Sequence, residues 1–161
     1  MKNARIIGTI SYRSGPEWER RFSNNRIDKD RPLSHPHQQA FSADFLVESY
    51  LAHQCEQFCT RYDPNSLLYI SKAMDMFDMG RGLPSLKDGL RKIKAPALVL
   101  GVQSDILFPV KQQKEIGDLL KSIGNSPRVT YYELDAMYGH DTFLLDVRNV
   151  GRAIKGHLEH A

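Results

Sequence analysis

The chain has 161 residues, 41% hydrophobic and 25% charged, the balance of a globular protein able to bury a core rather than of a disordered segment. Its net charge of +3, from 22 basic and 19 acidic residues, is too small and too scattered over Arg20, Arg21, Arg91, Lys92 and Lys94 to make a nucleic-acid footprint. No apolar run approaches the roughly 20 residues of a membrane span, and Met-Lys-Asn-Ala-Arg at the start has no apolar h-region behind it, so neither a membrane segment nor a signal peptide is expected.

The polar, proline-containing stretch Asn24–Gln39 reads as a surface loop. His35 and His37 fall in it with no Cys or carboxylate at ligand spacing, so no metal is expected there. From Ser42, apolar residues at Phe45, Val47, Leu51, Cys55, Phe58 and Tyr62 recur at helical steps. Cys55 and Cys59 lie one turn apart on that helix, a poor geometry for a disulfide and two ligands short of a zinc site. They read as free thiols of a reducing compartment, which favours a cytoplasmic protein.

Asp63-Pro64 marks the start of the next helix, Asp at the cap and Pro at the first helical position. Leu67, Leu68, Ile70, Ala73, Met74 and Phe77 give it a broad apolar face, and Met74, Met76 and Met79 read as packing residues. The pattern changes near Gly80–Pro84, after which Ser85 and Asp88 cap a short helix ending near Ile93.

Ala97–Val102 reads as a fully buried strand, Val110–Ile123 as an amphipathic helix stopped by Gly124, and Arg128–Leu134 as a second strand. Val147, Val150, Ile154 and Leu158 mark a last helix. Strand, helix, strand, helix predicts an α/β fold with a parallel sheet.

Two motifs follow those strands. Ser104-Asp105-Ile106-Leu107-Phe108-Pro109 comes after the first, and Gly139-His140-Asp141 after the second. Ligands bind at the carboxyl ends of parallel strands, and an acid followed later by a histidine is the chain order of a Ser…Asp…His triad. In such a triad the histidine takes the nucleophile's proton and the acid fixes its tautomer. Asp105 also suits a cap of the helix that starts near Pro109, and both readings stay open on the residues alone. The G-x-S-x-G elbow that presents the serine has no match here. Gly124-Asn125-Ser126-Pro127-Arg128 lacks the second glycine and precedes a strand instead of following one.

ARIIGTISYRSGPEWERRF (Ala4–Phe22), the segment Asp44–Phe77, SDILFP and YGHDTFLLD together resemble the homoserine (or serine) O-acetyltransferase family of the α/β-hydrolase superfamily, over its C-terminal portion only. The resemblance implies the C-terminal part of an α/β-hydrolase fold, a partial parallel sheet with a helical lid segment. Residues 1–83 would form the linker and lid region, and 84–161 the C-terminal strands and helices of the core.

The resemblance further implies acyl transfer from acetyl-CoA or succinyl-CoA to the side-chain hydroxyl of homoserine or serine, in methionine or cysteine biosynthesis. No cofactor would be bound. Asp105 and His140 would be catalytic, Arg13 would meet the substrate carboxylate and Asp141 its ammonium, and the full-length protein would be a homodimer. Without its elbow, the isolated chain is expected to be inactive. An esterase of the same fold and a non-catalytic fragment are the competing expectations.

Overall fold

The computed structural model describes residues 1–27, 43–124 and 128–160. Most of the loop Asn24–Gln39, with His35 and His37, the expected helix start Ser42, and Asn125–Pro127 of the imperfect serine motif lie outside these residues.

Two helices open the chain, α1 (Lys2–Ser11) and α2 (Gly15–Arg21). Ser14 caps α2, its hydroxyl accepting the Glu17 N–H at 3.2 Å, and Pro16 occupies the first turn. Helix α3 (Leu46–Arg61) packs against α1. Its start is fixed by Glu48, whose carboxylate accepts the N–H groups of Asp44 at 2.8 Å and Phe45 at 2.9 Å. Helix α4 (Pro64–Asp75) begins at the expected Asp-Pro pair, Asp63 accepting the Ser66 N–H at 2.7 Å.

The short helix α5 (Leu86–Leu90) is capped by Ser85 and ends earlier than its sequence pattern predicts. Lys92 and Ile93 bond instead to the carbonyls of Gly89 and Leu90 three residues back, which tightens the last turn out of α geometry.

Strands β1 (Ala97–Val102) and β2 (Val129–Leu134) pair in parallel, in register from Ala97 opposite Val129 to Val102 opposite Leu134. Arg128 stands just outside β2, yet its carbonyl accepts the Ala97 N–H at 2.9 Å, so the ladder reaches one bond further than the strand. The crossover is α6 (Val110–Ile123), which packs on both strands. It stops at Gly124, whose φ of 67° lies in the left-handed region that glycine enters at no steric cost. After β2 come a 3-10 turn (Gly139–Asp141), the single turn α7 (Thr142–Leu145) and α8 (Val147–Glu159).

The core centres on Leu90, Leu120, Leu134 and Ala136 around the strands, with Phe22 and Cys55 buried between the early helices. Far more large apolar side chains stay exposed. They include Leu68, Tyr69, Ile70 and Met74 on α4, Phe143, Leu144 and Leu145 on α7, and Val147, Ile154 and Leu158 on α8.

Candidate active site

The turn after β1 is organised by Asp105. One carboxylate oxygen, Oδ1, accepts the backbone N–H groups of Leu107 at 2.8 Å and Phe108 at 2.9 Å, an Asx-type turn that leads the chain into α6. The other, Oδ2, stands 2.8 Å from Nδ1 of His140, on the turn after β2. Asp105 does not cap α6, whose first residue is Val110 and whose N-terminus has no side-chain cap; it shapes the turn before the helix with one oxygen and meets His140 with the other.

The Asp105 side chain is 8% exposed and that of His140 25%. An ionised carboxylate only accepts hydrogen bonds, so Nδ1 carries the proton and Nε2 of the neutral ring is left as the acceptor. Tyr12, Phe108 and Phe143 surround the imidazole at centroid distances of 5.7, 5.0 and 5.7 Å.

The corner between α1 and α2 backs this histidine turn. The Asp141 N–H donates to the Tyr12 carbonyl at 3.0 Å, and the Ser14 hydroxyl donates to the Met137 carbonyl, 123 residues away in sequence. Gly139, at φ 68°, is pressed against the same corner: a Cβ there would sit 2.7 Å from Ser14 N and 2.8 Å from Arg13 C. The Thr142 hydroxyl, fully buried, closes the turn by donating to the Gly139 carbonyl at 2.7 Å.

Arg13 reaches from this corner to Asp141. Its Nε lies 3.5 Å from Asp141 Oδ2 and its Nη1 3.2 Å from Oε1 of Glu17, a carboxylate only 5% exposed that Arg20 approaches on its other oxygen at 3.5 Å. Two of Arg13's three guanidinium nitrogens are thus engaged by protein carboxylates.

Sequence reasoning did not single out Arg5. Its guanidinium lies over the rings of Tyr12 at 5.6 Å and Phe58 at 4.8 Å. Its Nε is buried without a hydrogen-bond partner, and no carboxylate of the described residues pairs with it. The seven-residue step from Arg5 to Tyr12, two turns on one helical face, was the available signal.

All four residues expected from the sequence therefore gather at one place. A cleft of about 360 Å³ is lined by Arg5, Thr9, Tyr12, Arg13, His140 and Asp141, among others. A second, of about 150 Å³, lies on the apolar side of His140 between Asp105, Phe108, Phe143, Val150 and the outer residues of β1. His140 lines both. Among the described residues no group of three or more His, Cys, Asp or Glu side chains is placed to hold a metal ion, and no helix is long and apolar enough to cross a membrane.

No protein-family profile matches the chain. Individual proteins do. A serine O-succinyltransferase from Emericella nidulans is 37% identical over 99% of this chain and 42% of its own length. An L-serine/homoserine O-acetyltransferase from Streptomyces lavendulae is 41% identical over 94% of this chain and 40% of its own. The chain is homologous to the C-terminal part of the serine and homoserine O-acyltransferases. It spans about two-fifths of the length of the relatives it matches.

In three dimensions it superimposes on homoserine O-acetyltransferase from Bacillus anthracis with a TM-score of 0.72 at 22% identity, covering 91% of this chain and 37% of the other. The fold is accordingly the C-terminal part of an α/β-hydrolase fold, as the resemblance implies, and its parallel strands are those the strand order predicts.

Proposed function

We propose that this chain supplies the acid and the base of a Ser-His-Asp acyltransferase that moves an acyl group from acetyl-CoA or succinyl-CoA to the side-chain hydroxyl of serine or homoserine. The nucleophilic serine and the oxyanion donors come from outside these 161 residues. The observation that carries the reading is the 2.8 Å contact between Asp105 Oδ2 and His140 Nδ1 at the carboxyl ends of two parallel strands.

In the first half-reaction the serine Oγ attacks the thioester carbonyl while His140 Nε2 takes its proton. The C–S bond breaks, and the same proton passes to the leaving thiolate. In the second half the acceptor hydroxyl attacks the acyl-serine, His140 takes its proton, and the serine Oγ leaves with it. Asp105 keeps the imidazole in the required tautomer and stabilises the imidazolium in both halves.

The charged wall of the larger cleft supports an amino-acid acceptor. Asp141 faces the ammonium. Arg13 is held by two protein carboxylates, which leaves Arg5 as the cation best placed to receive the substrate carboxylate, with Arg13 reinforcing the positive side of the cleft.

An esterase of the same fold is the competing reading. A cleft whose wall carries Arg5, which no carboxylate of the described residues pairs with, is ill suited to a neutral ester, because that charge loses water without gaining a partner.

The test joins this chain to the nucleophile-bearing portion of a relative and follows CoA release with serine, homoserine or water as acceptor. Release that rises steeply with either amino acid supports the proposal. Equal release with and without amino acid returns the esterase reading.

A further inference from the structure

We propose that Ser104 is a positioning residue, whose hydroxyl clips the loop that carries His140 onto the loop that carries Asp105. The inference rests on the catalytic reading of that pair and concerns a residue that touches neither substrate nor the reacting atoms.

Asp105 and His140 are 35 residues apart in the chain and sit on the loops that follow two adjacent, paired strands. The Asp105 loop is anchored at its own strand end by the Asp105 N–H to the Val102 carbonyl at 3.2 Å, and the Gln103 N–H extends the pairing of the two strands by one bond, to the Leu134 carbonyl at 3.1 Å. Beyond those bonds the four residues Asp135–Tyr138 run without helix or strand to the 3-10 turn that carries the histidine, held on their far side by the Ser14 hydroxyl on the Met137 carbonyl.

Ser104 spans this gap. Its Oγ donates to the carbonyl of Ala136 and accepts the backbone N–H of Gly139 at 3.0 Å. Both halves of the hydroxyl's bonding capacity are thus spent on one loop, at its first turn and at the residue directly before His140. The side chain that makes these bonds belongs to the residue directly before Asp105. The acid and the base are therefore tied through neighbours on both sides, and a small shift of one loop is passed to the other.

The consequence is specific to the hydroxyl. Alanine at this position leaves the Gly139 N–H and the Ala136 carbonyl in a half-buried site without that partner, and the histidine loop gains freedom to move away from the carboxylate. Threonine keeps the hydroxyl. A general role in stability would weaken the whole sheet; a clip weakens the Asp105–His140 bond and spares the β1–β2 ladder.

The test needs no acyl transfer, so its outcome stands apart from that of the acyltransferase assay. In the chain labelled with ¹⁵N, the His140 Nδ1 proton is followed by NMR for its chemical shift and its exchange with water, together with the ladder amide of Ala97. Wild type is expected to show a downfield, protected Nδ1 proton. S104A should exchange that proton at least about tenfold faster while Ala97 keeps its protection, and S104T should restore most of it. An unprotected proton in wild type, unchanged exchange in S104A, or equal loss at His140 and Ala97 with no rescue by S104T, would each overturn the proposal.

Discussion

Arg13 Nε lies 3.5 Å from Asp141 Oδ2, and Asp141 follows His140 directly in the chain. An arginine near the start and a carboxylate near the end therefore meet beside the candidate base. The arginine is tied further into the fold by Glu17, so the charge that faces the cleft is a network and not a lone side chain.

Arg13→Ala is expected to cost stability as well as function. It leaves the largely buried Asp141 without its cation and the buried Glu17 carboxylate with only the exposed Arg20, at roughly 2–3 kcal/mol, below the range for a fully buried pair because Asp141 keeps some water and Glu17 keeps a cation. Arg13→Lys keeps the charge but cannot serve two carboxylates in fork geometry, and should recover only part of the loss. Urea unfolding curves measure both.

Arg5→Met keeps packing against Tyr12 and Phe58 but removes the charge. In the joined enzyme its KM for serine or homoserine should rise on the order of a hundredfold, because a desolvated charge pair is lost. The rate of CoA release in the absence of acceptor should stay near wild type. Single-turnover kinetics separate the two half-reactions, and a loss confined to the first would assign Arg5 to the donor instead.

Gly139→Ala is expected to be destabilising by about 2 kcal/mol or more, for two independent reasons. The residue adopts φ 68°, and its new Cβ would lie 2.7 Å from Ser14 N, a backbone atom with no rotamer to yield. Thermal unfolding reads the loss.

How much of this site the sequence discloses depends on how local each feature is. Asp105 and His140 are legible because each follows a strand with clear edges, and Ala97–Val102, Val110–Ile123 and Asp63-Pro64 carry their own stop and start signals. The α1–α2 corner is different. Its contacts with Met137, Gly139 and Asp141 join residues more than a hundred positions apart, and nothing in Tyr12-Arg13-Ser14 announces them. Arg13 lies in that corner, outside both helices, so its pairing with Glu17, like its pairing with Asp141, needed the fold.

Helix α4 offers a pH test. The Ser66 N–H bound to Asp63 holds that carboxyl below its ordinary value of 3.8. A depressed folded pKa means that the cap stabilises the helix fully above the unfolded pKa and fades as pH falls through the lower, folded one. The difference in stability between wild type and Asp63→Ala should therefore be constant near neutrality and shrink below about pH 4. Paired unfolding curves across that range check the sign.

The central claim, that Asp105 and His140 are the acid and base of an acyl transfer, meets its most direct test in Asp105→Asn. The amide keeps the shape and the turn but accepts the Nδ1 proton poorly and favours the wrong imidazole tautomer. Acyl transfer from acetyl-CoA or succinyl-CoA to serine and homoserine, measured in the joined enzyme, should fall by roughly 10⁴-fold with acceptor KM little changed and the fold intact by circular dichroism. Transfer within about threefold of wild type, less than 1 kcal/mol of barrier, would contradict the account.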